Sequence, residues 1–404
     1  MKFTKQIISM TFIFILFITA CSHNEALQIV DDNYHPETDY PYYFHTQGNG
    51  QIVAESEDGY YFLNGSYLYY MDKQSMEPIL FDARPNHDCA PDKNIIPGNC
   101  HAFFLNDGVT FQGSVTYYKG HLYVLYMKAR AQKDLRGPGF WDYVLVRMDK
   151  NGSNRKIIRT FNIEPSPLII HRDQIYFVEN AYIGSGSKST IQTIPLSDPD
   201  QEPVVLYSGY QFYDLKVYGN FLYISEWYQD WTRQIKLDLM TREYEIMYEE
   251  QEGNPSILDI RNGNLYAHFT GNDISNEASW NLYRSDLHGN GLSKLPIRLP
   301  IISWLRVDDK HYYLTPVSWW FDSEEFAHVE KAMVIYDDQY REIDRVDLSE
   351  NSSWFFVITG NDRHMFIHDF GTTRYQRMYV LDKSKIGTGD AKFTLLAESI
   401  FPKP

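Results

Sequence analysis

From about residue 51 onward, apolar and polar positions alternate in runs of four to eight residues, with Val, Ile, Tyr and Phe at the apolar positions. Gly, Asn and Asp punctuate the runs. A period of two is the mark of a strand with one face in a core. No stretch between the runs carries a helical 3.6-residue period of any length. The pattern predicts an all-β protein.

The alternation is organised into a repeat. A turn residue is followed by any residue, an apolar residue and an aromatic, as in Gly120-His121-Leu122-Tyr123 and Gly263-Asn264-Leu265-Tyr266. The aromatic anchors are Phe62, Tyr123, Tyr176, Tyr223, Tyr266, Tyr313 and Phe366, separated by 43 to 61 residues. That spacing is close to the ~40–50 residues of a propeller blade. A second motif, alternating and closed by an aspartate, follows most anchors. Its aspartates are Asp72, Asp149, Asp238, Asp286, Asp337 and Asp382, while the third repeat has Pro195 at that place. Such an aspartate opens a turn by accepting from backbone two residues on. A four-stranded meander cannot bury both faces alone, and radial packing gives each face a neighbour. Seven anchors predict one β-propeller of seven four-stranded blades over residues 51–404, with six or eight as the counting alternatives.

Leu-Tyr-x-x-Asp motifs after Gly-x-Leu-Tyr strands resemble the bacterial Tyr-rich β-propeller lipoproteins grouped as a domain of unknown function. More loosely, the repeats are similar to TolB-type and quinoprotein-like propellers. The resemblance covers roughly residues 50–400. It implies a fold and brings no catalytic motif to match.

The first twenty residues read as a signal peptide. Lys2 and Lys5 precede the apolar run Ile7 to Ile18, which is too short to span ~30 Å of hydrocarbon. Ile18-Thr19-Ala20-Cys21 resembles the bacterial lipobox, which implies cleavage before Cys21 and its diacylation. Two acyl chains give stable anchoring where one does not. The expected product is lipid-anchored on the extracytoplasmic face of the cell membrane, with residues 21–50 as a polar tether. The alternative is a secreted protein with an incidental Cys21. Cys89 and Cys100 then remain as a pair around a short loop, either a disulfide, worth ~2–3 kcal/mol by chain entropy, or two free thiols.

Composition narrows the function. The net charge of −16 repels phosphate backbones, so nucleic acid is not an expected partner. Aromatic residues make up 16%, which flat layers between blades account for without any ligand. No H-E-x-x-H, Walker loop, Rossmann fingerprint or calcium loop occurs. His364 and His368 have metal-like spacing only on a helix; on a strand they stand ~13 Å apart. No metal, cofactor or catalytic residue is predicted.

Loop lengths carry the remaining signal. Turns between first and second strands are tight, whereas several second-to-third connections and the insertion Asp82–Gly113 are long and share one side. Long loops on a rigid scaffold are where binding sits. Trp141, Trp227, Trp231, Trp319 and Trp320 are the leading contacts there, suited to a glycan, peptide or protein partner. The reading is a non-enzymatic binding module. Two alternatives stand beside it: a carbohydrate-active enzyme using Glu226, Asp230, Asp322 or Glu324, and an envelope assembly scaffold. Composition gives no oligomeric state.

Overall fold

The structure is a computed structural model and describes residues 31–46, 50–82, 84–93, 97–105, 113–129, 141–183, 186–228, 231–250, 253–271, 280–297, 303–316, 330–351, 354–370 and 375–400. Residues 32–404 form one compact unit. It is a seven-bladed propeller, and each blade is a four-stranded antiparallel sheet taken in chain order. Blade 1 begins at Val53–Glu55, blade 2 at Ser114–Tyr118, blade 3 at Pro165–His171 and blade 4 at Gln211–Tyr218. Blades 5, 6 and 7 begin at Gly253–Arg261, Ser303–Val307 and Phe355–Ile358, and the last strand is Phe393–Ile400.

The repeat maps onto this architecture residue by residue. All seven aromatic anchors lie on second strands and are buried. Seven apolar clusters of buried residues follow, each formed by two neighbouring blades. Phe62 packs toward blade 7, Tyr266 toward blade 6 and Tyr313 toward blade 7. Each blade is thus apolar on both faces, which explains why its strands need the ring to be stable.

The motif aspartates close the turns to the fourth strands. Asp238 Oδ1 accepts from Met240 N (2.8 Å) and Thr241 N (2.9 Å). Asp286 Oδ1 takes His288 N and Asn290 N, and Asp337 Oδ1 takes Gln339 N and Arg341 N, all at 2.8–2.9 Å. Where Pro195 replaces the aspartate, the backbone closes the turn instead: Asp198 N donates to Pro195 O at 3.2 Å.

Among the described residues no strand is shared across the ring's ends, and side-chain contacts join blade 1 to blade 7. Phe62, Tyr69 and Met71 of blade 1 pack on Phe366, Met378 and Val380 of blade 7. Asn64 Nδ2 donates to Gln376 O (3.2 Å) and Ser399 Oγ (3.1 Å), and Gly65 N donates to Gln376 Oε1 at 2.7 Å. Gly65 has φ +59, and a Cβ there would stand 2.9 Å from Ser399 Cβ.

The stretch read from sequence as a tether differs from that reading in its second half. Residues 32–46 and 50–52 run through the centre, against the first strands and turns of the blades. Phe44, Tyr40, His45 and Gln51 are fully or nearly fully buried. Arg172 holds Asp39 with Nε at 2.7 Å and Nη2 at 3.1 Å. Tyr40 N donates to His171 Nδ1 (3.0 Å), whose Nε2 donates to Gly219 O (2.8 Å). His45 bridges Tyr40 OH (3.2 Å) and Asp214 Oδ1 (3.0 Å), and Lys216 pairs with the same carboxylate. Burial alone would raise Asp214, but Lys216 and His45 outweigh it and hold its carboxyl well below the usual range. Gly360 N reaches Tyr43 O at 2.9 Å. Asp39, His45 and Gln51 are accommodated there because each finds a partner on an inner strand or turn.

Two predictions follow from this core. Phe44→Ala removes a fully buried ring from the blade 1–blade 7 seam and should cost ~3–5 kcal/mol in denaturant unfolding; a loss under ~1 kcal/mol would mean the central segment is not integral. The second concerns acid. Burial pushes His171, His268 and His368 down to about 4 from 6.5. Unfolded, these imidazoles bind protons more readily, so their contribution is complete above pH 6.5 and drains away as pH falls toward 4. Thermal melting should drop across that interval, and a flat profile would refute the buried neutral state.

Candidate functional site

Chain direction alternates along a meander, so first-to-second and third-to-fourth turns share one side of the ring, here the turn side. Second-to-third and blade-to-blade connections share the other, the loop side. On the turn side, Lys119-Gly120, Arg172-Asp173 and Asn262-Gly263 are two-residue turns with positive φ throughout. Such turns match the strand twist. Arg172 and Asp173 adopt φ of 47 and 60 without being glycine, and their ion pairs with Asp39 and Lys119 hold them there.

The loop side carries the longer connections, with two differences from expectation. In blade 3 the strands continue to Ile183 and resume at Gly186, and in blade 4 they continue to Tyr228 and resume at Trp231. The ladder pairs Asn180 with Ser189 and runs on to Ile183 with Gly186. Gly, Ser and Lys conceal the strand pattern there, and lengthened hairpins replace loops.

The insertion after blade 1 extends that blade's edge. Leu68 N donates to Ala102 O (2.8 Å) and Phe104 N to Ser66 O (2.7 Å). Cys89 and Cys100 are joined by a disulfide and pack against the blade 1–blade 7 seam. Asp82 lies beside the two sulfurs, within 4.8 Å. Sulfurs bonded to each other offer no thiolate for a metal. Arg84 donates to Asp82 at 2.7 Å and holds its carboxyl well below the usual range.

The expected contact residues separate by position. Trp227 is 47% exposed at the loop end of blade 4. Trp141 is half-buried and packs against the seam between blades 2 and 3, so it is a structural residue in large part. Trp231 is placed by its backbone pairing with Tyr228, and its side chain lies outside the description. Trp319, Trp320, Asp230, Asp322, Glu324 and Cys21 lie outside the described residues.

Glu226 is not a rim carboxylate. It is fully buried, with Oε1 accepting from Tyr210 N (2.5 Å) and Oε2 accepting from Tyr207 OH (3.3 Å) and Arg233. Gly209 lets the backbone approach; a Cβ there would overlap Oε1. Sequence position put Glu226 next to Trp227, but strand alternation points the two to opposite faces.

Three exposed aromatics on the loop side were absent from the sequence expectation. Tyr210 joins blades 3 and 4, Trp354 precedes the first strand of blade 7, and Tyr375 begins its third strand. Trp354 is 59% exposed. Their signal in sequence is an aromatic at or just before a strand start, outside the long connections that carry the other candidates. Across the ring, His364 lies half-buried on the turn side with Nδ1 against Tyr60 OH at 2.9 Å. His368 is buried, with Nε2 against Gln376 Oε1 at 3.1 Å.

No protein-family model matches the chain, and no curated protein matches it. Among solved structures, the chain is similar to prolyl endopeptidases at 10% identity, with 89% of this chain aligned to 51% of theirs and a TM-score of 0.53. It is also similar to puromycin hydrolase complexed with PGG (10% identity, 92% of this chain, 57% of that one, TM-score 0.53). A third is an oligogalacturonate lyase from Vibrio parahaemolyticus (8% identity, 85% and 90%, TM-score 0.51). The chain spans about half the length of the first two. The chain is a seven-bladed β-propeller, and at these identities its likeness to these solved structures is one of fold.

Proposed function

We propose that the protein is a lipid-anchored, extracytoplasmic binding module that captures a glycan, peptide or protein partner on the loop side. One observation carries the reading. Five tyrosines and tryptophans are exposed among the described residues, and four of them, Tyr210, Trp227, Trp354 and Tyr375, stand at loop-side ends of blades 4 and 7. The fifth, Tyr244, lies on an outer strand. Large exposed aromatics gathered on one side of a rigid scaffold are the usual energetic centres of recognition.

The course of the chain is compatible with such an anchor. Asp32 lies against Gly219, and Asn33 O accepts from Arg172 Nη2 at 2.8 Å, so the central segment enters on the turn side. Cys21 precedes Asp32 by 11 residues, a contour of ~40 Å at most. An anchor at Cys21 keeps the turn side near the bilayer and leaves the loop side free for a partner.

Three measurements test this. Cys21→Ala should abolish labelling by radioactive palmitate and release the protein from the membrane fraction; an unlabelled wild type removes the anchor from the reading. Photo-crosslinking residues placed at Trp227 or Trp354 in cells should trap adducts that the same residue at Lys119 does not. With the partner so identified and purified, Trp227→Ala with Trp354→Ala should weaken its equilibrium binding by at least ~10-fold. Adducts from Lys119 alone would put binding on the wrong side.

A further inference from the structure

The central segment leaves a cavity of about 620 Å³ on the turn side, between itself and the turns of blades 5, 6, 7 and 1. That lies within the ~300–1,000 Å³ of small-molecule sites. It sits on the opposite side of the ring from the aromatics just described and does not depend on their role.

The floor is tyrosine. Tyr34, Tyr42 and Tyr43 of the central segment pack edge to face, with ring centroids 5.1–6.3 Å apart. Tyr60 of blade 1 forms a wall, and two hydrogen bonds orient it. Asn361 Nδ2 donates to its hydroxyl at 2.6 Å, and the hydroxyl donates to His364 Nδ1 at 2.9 Å. Burial holds His364 below its ordinary value, so the ring is neutral at pH 7, with Nε2 left to carry the proton. Asn361 Oδ1 accepts from the backbone of both Arg363 and His364 at 2.9 Å, which shapes the turn that presents them.

The charges decide what fits. The lining has three cations, Lys73, Arg261 and Arg363, against three carboxylates, Glu55, Asp309 and Asp362. Lys73 pairs with Glu55 (2.6 Å), and Arg261 pairs with Asp309 (2.8 Å) and reaches Asp362 (3.6 Å). A phosphate would meet three carboxylates, so the balance disfavours it. A quaternary ammonium would need open ring faces, but Arg261 already lies over Tyr42 and Tyr43 at 5.9 Å and Lys73 over Tyr60 at 5.6 Å. An acyl chain would need aliphatic walls, and among the described residues the lining has none.

What remains is a neutral ligand dense in hydroxyls. Such a molecule offers donors to carboxylates and acceptors to guanidinium and imidazole, and it needs no open ring face. Asp362, largely exposed, and Arg363, in no ion pair among the described residues, stand side by side at the mouth to meet it. We propose that this turn-side cavity is a saccharide site that takes the end of a short neutral oligosaccharide.

Calorimetry on the detergent-solubilised full chain tests the assignment, using maltotriose, cellotriose and triacetylchitotriose, with inorganic phosphate and choline as probes of the excluded classes. At least one trisaccharide should bind with a Kd of ~1 mM or tighter. Asp362→Ala combined with Arg363→Ala should weaken it by ~10-fold or more. Both side chains are on an exposed turn, so the double variant should melt with the wild type, and the melting curve checks that. Three results overturn the proposal: no trisaccharide bound up to ~10 mM, binding that the double variant leaves unchanged, or phosphate or choline bound in preference.

Discussion

Seven sheets that share no strand need something common to hold on to, and the buried central segment supplies it. Asp39 clamps Arg172 of blade 3, His45 reaches Asp214 of blade 4, and Tyr43 O receives Gly360 N of blade 7. Phe44 enters the seam where the first and last blades meet. Charged and polar groups are costly inside a protein unless paired. Here each pairing also fixes the distance between blades, so the polar channel and the apolar seams constrain the same geometry. The left-handed Arg172-Asp173 turn is part of that arrangement: its strain is tolerated because the guanidinium is needed at Asp39.

Much of the ring was legible because its forces are local and repeated. A buried aromatic on each second strand and an aspartate at each closing turn recur at blade spacing, and both functions are visible within a few residues of chain. Even the exception at Pro195 lay where the motif failed. The central segment was illegible for the opposite reason. Its residues are mostly polar, its rings apart from Phe44 are tyrosines and histidines, and its partners lie far along the chain, as with His45 and Asp214, 169 residues apart. No window of sequence contains both halves of such a contact.

The candidate sites divide in the same way. Trp227 could be named from sequence because a tryptophan near a blade end stands out. Glu226 was misread because a neighbour in sequence on a strand is not a neighbour in space. The turn-side cavity was not anticipated at all, since the tyrosines of one segment and residues from four separate blades make it. Its two sides differ chemically as well: hairpin ends and exposed rings on one, short charged turns around a tyrosine floor on the other.

The segment that threads the channel is also the earliest part of the propeller to be synthesised, while blade 7 is the last. Blades are contiguous meanders and can form as each is completed, on contacts a few residues apart. The thread cannot settle until Gly360 and Phe366 exist, more than 300 residues later. Assembly of the ring therefore ends at this thread, whose residues wait longer than the blades for their final neighbours.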